Sequence, residues 1–215
     1  IPHDAARLAR IKPRVAEYEW FDAPQLEAHE DPWAYGTDAA YLKQLCDYWL
    51  SDYDWQKTVD ELNKFDHFTT QVDDINVHFI REQGSGSNPR PVIMTHGWPG
   101  SVYEFMDVIE PLAHPERFGG DAEDGVTIIC PSMPGYGFSS RPSRPLGPRR
   151  TAALWDKLMR ENLGYEAYTA QGGDWGSLVT GMLGLNHSVA KGGGCEAIHI
   201  NMYGLRGTET PQTEE

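Results

Sequence analysis

Hydrophobic and polar residues alternate in two different rhythms along this chain. Up to about residue 65 the apolar positions recur at helical intervals. Leu8, Ile11 and Val15 share one face, and Tyr41, Leu42, Leu45, Tyr48 and Trp49 share another, behind a cap at Thr37 or Asp38. From Phe65 the rhythm shortens. FTTQVDDINVHFIRE predicts two short strands turning at Asp73 and Asp74. PVIMTH and VTIICP are continuous apolar runs, the pattern of strands buried on both faces. YTAQ and CEAIHIN predict two further strands, and SVYEFMDVIEPLA, TAALWDKLMRENLG and LVTGMLGLNH predict helices between them. PSMPGYGFSSRPSRPLGP holds too much Pro and Gly for regular structure.

Strands that alternate with helices predict an α/β fold: a mixed, mostly parallel sheet with helices on both faces and a leading hairpin at its edge. The boundary falls between 1–65, a run of short helices, and 66–215, the α/β part. In such sheets ligands bind outside the carboxyl ends of the strands. The glycine-rich and polar stretches after PVIMTH, VTIICP and YTAQ all fall there.

The formal net charge of −14 opposes binding to nucleic acid or to an anionic membrane and favours a neutral or cationic small molecule. No apolar run reaches the roughly 18 to 20 residues of a membrane span. Cys46, Cys130 and Cys195 stand far apart and read as reduced packing thiols of a cytoplasmic protein, with an upstream signal or anchor left open. No cofactor and no metal are expected: the acidic run at Asp121, Glu123 and Asp124 lacks calcium-loop spacing, and GYG at 135–137 lacks the third glycine of a dinucleotide fingerprint. Asn186-His187-Ser188 fits a glycosylation sequon, a short pattern common by chance, and Gly192–Gly194 reads as a flexible loop.

Two motifs carry chemistry. In YTAQGGDWGSLVTGMLG a strand ends, Gly172 and Gly176 permit a tight turn, and a helix starts at once, so that Asp174 is lifted above the sheet with the Trp175 backbone N–H beside it. In MTHGWPGS a second strand ends in an abrupt reversal, and the Trp98 N–H is the natural second donor of an oxyanion hole. His96 is tempting as a base, but in this setting it orders the loop.

HGWPGS, PSMPGYGFS and GGDWGS together resemble three elements of the epoxide hydrolases of the α/β-hydrolase superfamily. The matching branch is the one that includes the microsomal enzymes and carries an N-terminal helical meander. The stretch from WAYGTDAAYLKQ to NVHFI resembles that meander and first hairpin, so the resemblance covers nearly all of the chain. It implies a meander at 1–65, the N-terminal part of an α/β-hydrolase core at 66–215, and a cis peptide between Trp98 and Pro99. It also implies that Asp174 is the nucleophile, that the Trp98 and Trp175 amides form the oxyanion hole, and that the substrate is a small-molecule epoxide converted to a vicinal diol. Detoxification of xenobiotics is the implied setting.

The nearest rival is a haloalkane dehalogenase, which shares the aspartate but usually carries a side-chain amide where this chain has Trp98. A serine esterase is disfavoured by Asp174 itself, and a catalytically incomplete scaffold or binding fragment is the non-enzymatic alternative. The family mechanism also needs a histidine base, an acidic partner for it and lid tyrosines. None of these is assigned to His187, His199 or Tyr203. All are expected beyond NMYGLRGTETPQTEE, about where the lid should begin, so the core is expected to be truncated there. A sheet ending after CEAIHIN would expose an edge, so the expected partner is the C-terminal remainder of the enzyme or a second copy of the chain.

Overall fold

The computed structural model describes residues 1, 4–22, 25–27 and 29–203, so the tail in which the lid is expected to begin lies outside the described residues. Two compact units divide the chain, Ile1–Lys64 and Phe65–Glu215. Among the described residues no helix is long and apolar enough to cross a membrane.

In the first unit three aspartates start three helices. Asp4 accepts the Arg7 N–H at 2.9 Å before α1 (Ala5–Ala16). Asp38 accepts the N–H groups of Ala40 and Tyr41 at 3.1 and 3.2 Å before α2 (Ala39–Ser51). Asp54 accepts the Gln56 N–H at 2.9 Å before α3 (Trp55–Leu62). Each carboxylate satisfies an amide that has no partner inside its helix and sets negative charge at the positive end of the helix dipole. The cap of α2 is therefore Asp38 and not Thr37. Ile11 and Val15 of α1 and Leu42, Cys46 and Trp49 of α2 line one apolar groove, as the helical spacing requires.

The second unit is built on six strands: β1 (His67–Val72), β2 (Ile75–Glu82), β3 (Pro91–Thr95), β4 (Thr127–Pro131), β5 (Tyr168–Gly172) and β6 (Cys195–Ile200). They lie in the order β1-β2-β4-β3-β5-β6. The β1–β2 and β2–β4 pairs are antiparallel, and the β4–β3, β3–β5 and β5–β6 pairs are parallel. Val72 pairs with Ile75, so Asp73 and Asp74 alone make the hairpin turn, with Asp73 at φ 51°.

Alternation along the strands divides the core into two layers. Ile93 and Ile129 point to one face, where Trp155, Leu158, Met159, Val179 and Leu183 cover them. Met94, Ile128 and Cys130 point to the other, under Val102, Phe105 and Ile109. Every residue of β4 is buried, which is why its sequence lacks polar alternation. On the first face lie α5 (Pro148–Lys157) and α6 (Trp175–Asn186), and on the second lies α4 (Met106–Ala113).

Three boundaries depart from the sequence pattern. The first turn of the SVYEF helix, Val102–Phe105, is a 3-10 turn. The next helix starts earlier than TAALW, because Pro148 takes its first position, where the missing N–H costs nothing and φ is already set. It ends in a π-helical turn at Leu158–Asn162. The acidic loop fastens itself down: Asp121 accepts the Glu123 N–H at 3.0 Å, and Glu123 accepts the Ser87 hydroxyl at 2.7 Å. On β6 only Cys195 is buried, and Ile198 is 43% exposed.

One buried carboxylate joins α5 to the starts of β5 and β6. Asp156 accepts the Tyr168 hydroxyl at 2.8 Å and the Gly194 N–H at 3.0 Å on one oxygen, and Arg160 lies 3.3 Å from the other. We predict that Asp156→Ala, which strands two buried donors, lowers unfolding free energy by about 3 kcal/mol. Arg160→Ala, at the half-exposed end of the network, should cost less than about 1 kcal/mol. Urea denaturation of both variants checks the difference, and equal losses would contradict this account of the network.

Candidate active site

Register decides where the two motif loops meet. β3 and β5 run parallel and adjacent, with Thr95 opposite Gly172. The residues that follow them, His96-Gly97-Trp98 and Gly173-Asp174, therefore leave the sheet side by side at its carboxyl rim.

The turn after β5 is tight because α6 starts at Trp175, and Asp174 must reverse the chain within one residue. It does so at φ 49°, ψ −124°, a conformation that costs a non-glycine residue on the order of 1–3 kcal/mol. Close packing holds it there. A methyl group on Gly176 would overlap the Thr95 carbonyl oxygen, and one on Gly172 would overlap the Gly176 carbonyl. Ser177 adds two bonds across the turn: its N–H donates to the Asp174 carbonyl at 3.0 Å, and its hydroxyl donates to the Gly172 carbonyl at 3.0 Å.

Asp174 precedes α6 but makes no side-chain cap to it. The side chain is exposed and turned towards the other loop, where the Trp98 N–H donates to Oδ1 at 2.7 Å. The Trp98 amide, and after it the Trp175 amide, hold the Asp174 carboxyl below the usual carboxylate range. All three residues singled out by the motifs, Asp174, Trp98 and Trp175, thus meet at one point.

The Trp98–Pro99 peptide is cis. His96 is fully buried, accepts the Met133 N–H on Nε2 at 3.0 Å and lies 2.9 Å from the Gly97 carbonyl through Nδ1. Because Met133 can only donate, Nε2 must be unprotonated, and Nδ1 carries the proton given to Gly97. Burial lowers the pKa of His96, in keeping with a neutral ring whose two nitrogens are both spent on loop order.

The two tryptophan rings are placed differently. Trp175 borders a cavity of about 140 Å³ with Met133, Pro134, Tyr136, Leu146 and Pro148. Trp98 is not among that cavity's lining residues, and its ring is 65% exposed, because the reversal that aims its N–H inwards carries the side chain out.

Sequence reasoning missed Glu104 and Asn201. Glu104 accepts the Gly97 N–H at 3.4 Å, and the signal for it was present: Ser101-x-x-Glu104 has capping-box spacing, and Ser101 does cap the turn through Tyr103 N–H at 3.2 Å. Asn201 donates its N–H to the Gly172 carbonyl at 3.4 Å, and its side chain lies against Gly173. Nothing local in the sequence marks that contact, which the β5–β6 pairing creates. His187 sits at the end of α6, 3.7 Å from Asp156, and His199 lies on the exposed β6 opposite Gln171.

Gly176→Ala should therefore push α6 off the Thr95 carbonyl and separate the two loops. We predict a loss of stability of at least about 2 kcal/mol, within the range for overpacked sites. Ser177→Ala should cost about 1 kcal/mol. Thermal unfolding of the two variants checks the order, and an unchanged Gly176→Ala protein would contradict it.

Comparison with known proteins follows the same geometry. The family model for the epoxide hydrolase N terminus matches residues 1–105, and the model for the alpha/beta hydrolase fold matches residues 90–192. Epoxide hydrolase 1 of Oryctolagus cuniculus is 41% identical over 174 residues, which are 78% of this chain and 37% of that protein. The structure of Aspergillus niger epoxide hydrolase superimposes with a TM-score of 0.82 at 30% identity, covering 96% of this chain and 52% of that one. Juvenile hormone epoxide hydrolase from the silkworm Bombyx mori superimposes with a TM-score of 0.80 at 32% identity, covering 94% and 51%. A Stigmatella aurantiaca relative aligns with all 215 residues at 38% identity, and those residues make up 46% of its length. The chain thus spans less than half the length of these curated relatives. With both family models and these structures in agreement, the chain belongs to the epoxide hydrolase family of the α/β-hydrolase superfamily.

Proposed function

We propose that this chain carries the nucleophilic half of an epoxide hydrolase site, with Asp174 as the attacking group. The observation that carries this reading is the 2.7 Å bond from the Trp98 backbone amide to one exposed carboxylate at a strained strand-to-helix turn, where the Trp175 amide also favours the ionised form.

The chemistry follows from that arrangement. A carboxylate oxygen of Asp174 attacks a ring carbon of the epoxide, and the carbon–oxygen bond of the strained ring breaks. The released oxygen takes a proton, and a β-hydroxyalkyl ester of Asp174 remains. Water then adds to the ester's carbonyl carbon. The negative charge that develops on its oxygen falls where the Trp98 and Trp175 amides already point. Collapse of that intermediate releases the vicinal diol and restores the carboxylate. An aspartate serves where related folds use serine, because the acyl group belongs to the enzyme and the substrate needs no carbonyl.

The proton donor for ring opening and the base for ester hydrolysis are further requirements of this mechanism. His96 is committed to Met133 and Gly97, and His187 to the neighbourhood of Asp156. We infer that a histidine with an acidic partner, and lid tyrosines, reach Asp174 from the portion that the longer relatives carry. The nearly unburied β6 supports docking of such a portion, or of a second copy, along that edge.

Incubation of this chain with styrene oxide, followed by intact-mass spectrometry and peptide mapping, tests the proposal. We predict one covalent adduct on the peptide containing Asp174, without steady diol production. Asp174→Asn should lower the rate of labelling by on the order of 10³-fold or more. Bromide release from a bromoalkane, with no epoxide adduct, would support the dehalogenase reading instead. A labelled site other than Asp174 would reject both.

The depressed pKa of Asp174 adds a pH dependence. The reactive form is the carboxylate, and a lowered pKa keeps it ionised to lower pH. The labelling rate should therefore stay level from neutral pH down to the ordinary carboxylate range and fall only below it. A fall centred at or above the ordinary aspartate value would contradict the role given to the two amides.

A further inference from the structure

The loop that leaves β4, residues 132–140, fastens onto the half of β2 that β4 does not reach. β4 pairs with β2 only over 79–82. Further along β2, the Ser132 N–H donates to the His78 carbonyl at 2.9 Å, and the His78 N–H donates to Ser139 Oγ at 3.0 Å. The Asn76 N–H donates to Ser140 Oγ at 2.9 Å, and the Ser140 N–H donates back to the Asn76 carbonyl at 2.9 Å. The Ser139 hydroxyl closes the loop on itself by donating to the Ser132 carbonyl at 2.7 Å. Between these anchors, Met133, Pro134 and Tyr136 form a wall of the cavity that Trp175 borders.

Side chains add a polar chain beneath that wall. His67 Nδ1 lies 2.8 Å from His78 Nε2, and His78 Nδ1 lies 2.9 Å from Ser132 Oγ. The two rings are 20° from coplanar with centres 5.1 Å apart, so the facing nitrogens lie between the centres. His78 is 3% exposed, Ser132 is fully buried, and the Phe138 ring packs against His78 at 5.0 Å between centres. The next residue, Met133, is held by a different histidine, since its N–H donates to His96 Nε2 at 3.0 Å. Two buried imidazoles thus clasp consecutive residues of the chain.

Proton count decides what the pair can do. A bond between two ring nitrogens needs one donor and one acceptor. Both rings neutral satisfy it, and so does one added proton on His78, which then donates to His67 and to Ser132. A second added proton sets N–H against N–H and two charges side by side. The titratable group that faces His78 is His67. Of the charged residues on the elements packed against it, Arg81 lies over the Tyr165 ring, Glu82 bonds His114, Asp73 bonds Lys157 and Asp74 bonds Ser143. Asp66 and Arg141, just outside β1 and the loop, make no hydrogen bond or ion pair with His78 among the described contacts. We propose that His78 is a positioning residue for the cavity: through Ser132 it holds the wall at 133–136 while the His67–His78 pair carries at most one added proton, and the second proton releases that wall. The inference rests on the reading of Asp174 as nucleophile only for the importance of the cavity. Burial, and after it the charge of His67, lower the pKa of His78 from the ordinary 6.5 to about 4. The unfolded chain therefore takes up this proton first. The stabilising contribution is complete above about pH 6.5 and is lost progressively as pH falls to about 4.

The test reads the wall itself and needs no reaction, so its failure is distinct from a failure of Asp174 to label. NMR of the whole chain from neutral pH into the acid range follows the ring protons of His67 and His78, the Met133 methyl group and the Gly135 amide. We expect one set of wall resonances near neutrality and a shift to a second set centred near pH 4. His67→Asn places a side-chain amide where Nδ1 stood, and its oxygen accepts from a charged His78. Its wall resonances should therefore stay in the first set. Ser132→Ala should show the second set already at neutral pH, with the titration of the histidine pair still present. His199→Asn, on the exposed β6, should leave the transition unchanged. Wall resonances that stay in place in the folded native chain, or a transition equally present in His67→Asn, overturn the proposal, as does a Ser132→Ala protein with the first set at neutral pH. Where acid unfolds the chain as a whole first, the unfolding midpoint decides. It should lie at lower pH in His67→Asn than in the native chain, and equal midpoints overturn the proposal.

Discussion

The convergence of two backbone N–H groups on the Asp174 carboxylate is the contact around which this unit is organised. The Trp98 amide reaches it only because β3 and β5 are neighbours in register, and the Thr95–Gly172 pairing provides that. Nor can Asp174 face the Trp98 loop unless the chain turns within one residue at positive φ. That conformation is unfavourable by itself and persists because Gly176 lies against the Thr95 carbonyl and Ser177 bonds back to Gly172. The cost of the turn is spread over the packing of α6 on the sheet.

The same contact explains why neighbouring residues are what they are. His96 is buried and neutral because it links the end of β3 to Met133 after β4, so two strand ends are tied together beneath the site. Backbone amides fixed in this way need no reorganisation when charge moves from the carboxylate to a tetrahedral oxygen, the condition under which such donors contribute most to rate. Asp156 fixes α5 to the starts of β5 and β6 at the opposite end of the sheet, so that both ends of β5 are anchored.

Much of this was legible in the chain. PVIMTH and VTIICP lack polar alternation because β3 and β4 are covered on both faces, and DD between two alternating runs made the hairpin turn plain. The glycines of GGDWG marked the turn because close backbone approach leaves no room for a side chain there. What escaped depends on contacts between segments. Pro148 read as loop, although a proline suits the first turn of a helix as well. The π-helical end of α5 has no periodic signature. Trp98 carried its ring away from the cavity because backbone direction, which its identity does not encode, decides the outcome.

The central claim is that the Trp98 and Trp175 amides share the Asp174 carboxylate. Proton–nitrogen NMR of the folded chain measures this most directly through the two amide resonances. The account predicts that both lie far downfield in the native protein and both move upfield in Asp174→Asn, where the charge they serve is gone. Resonances that stay in place in that variant, or a response of only one of the two, would contradict it.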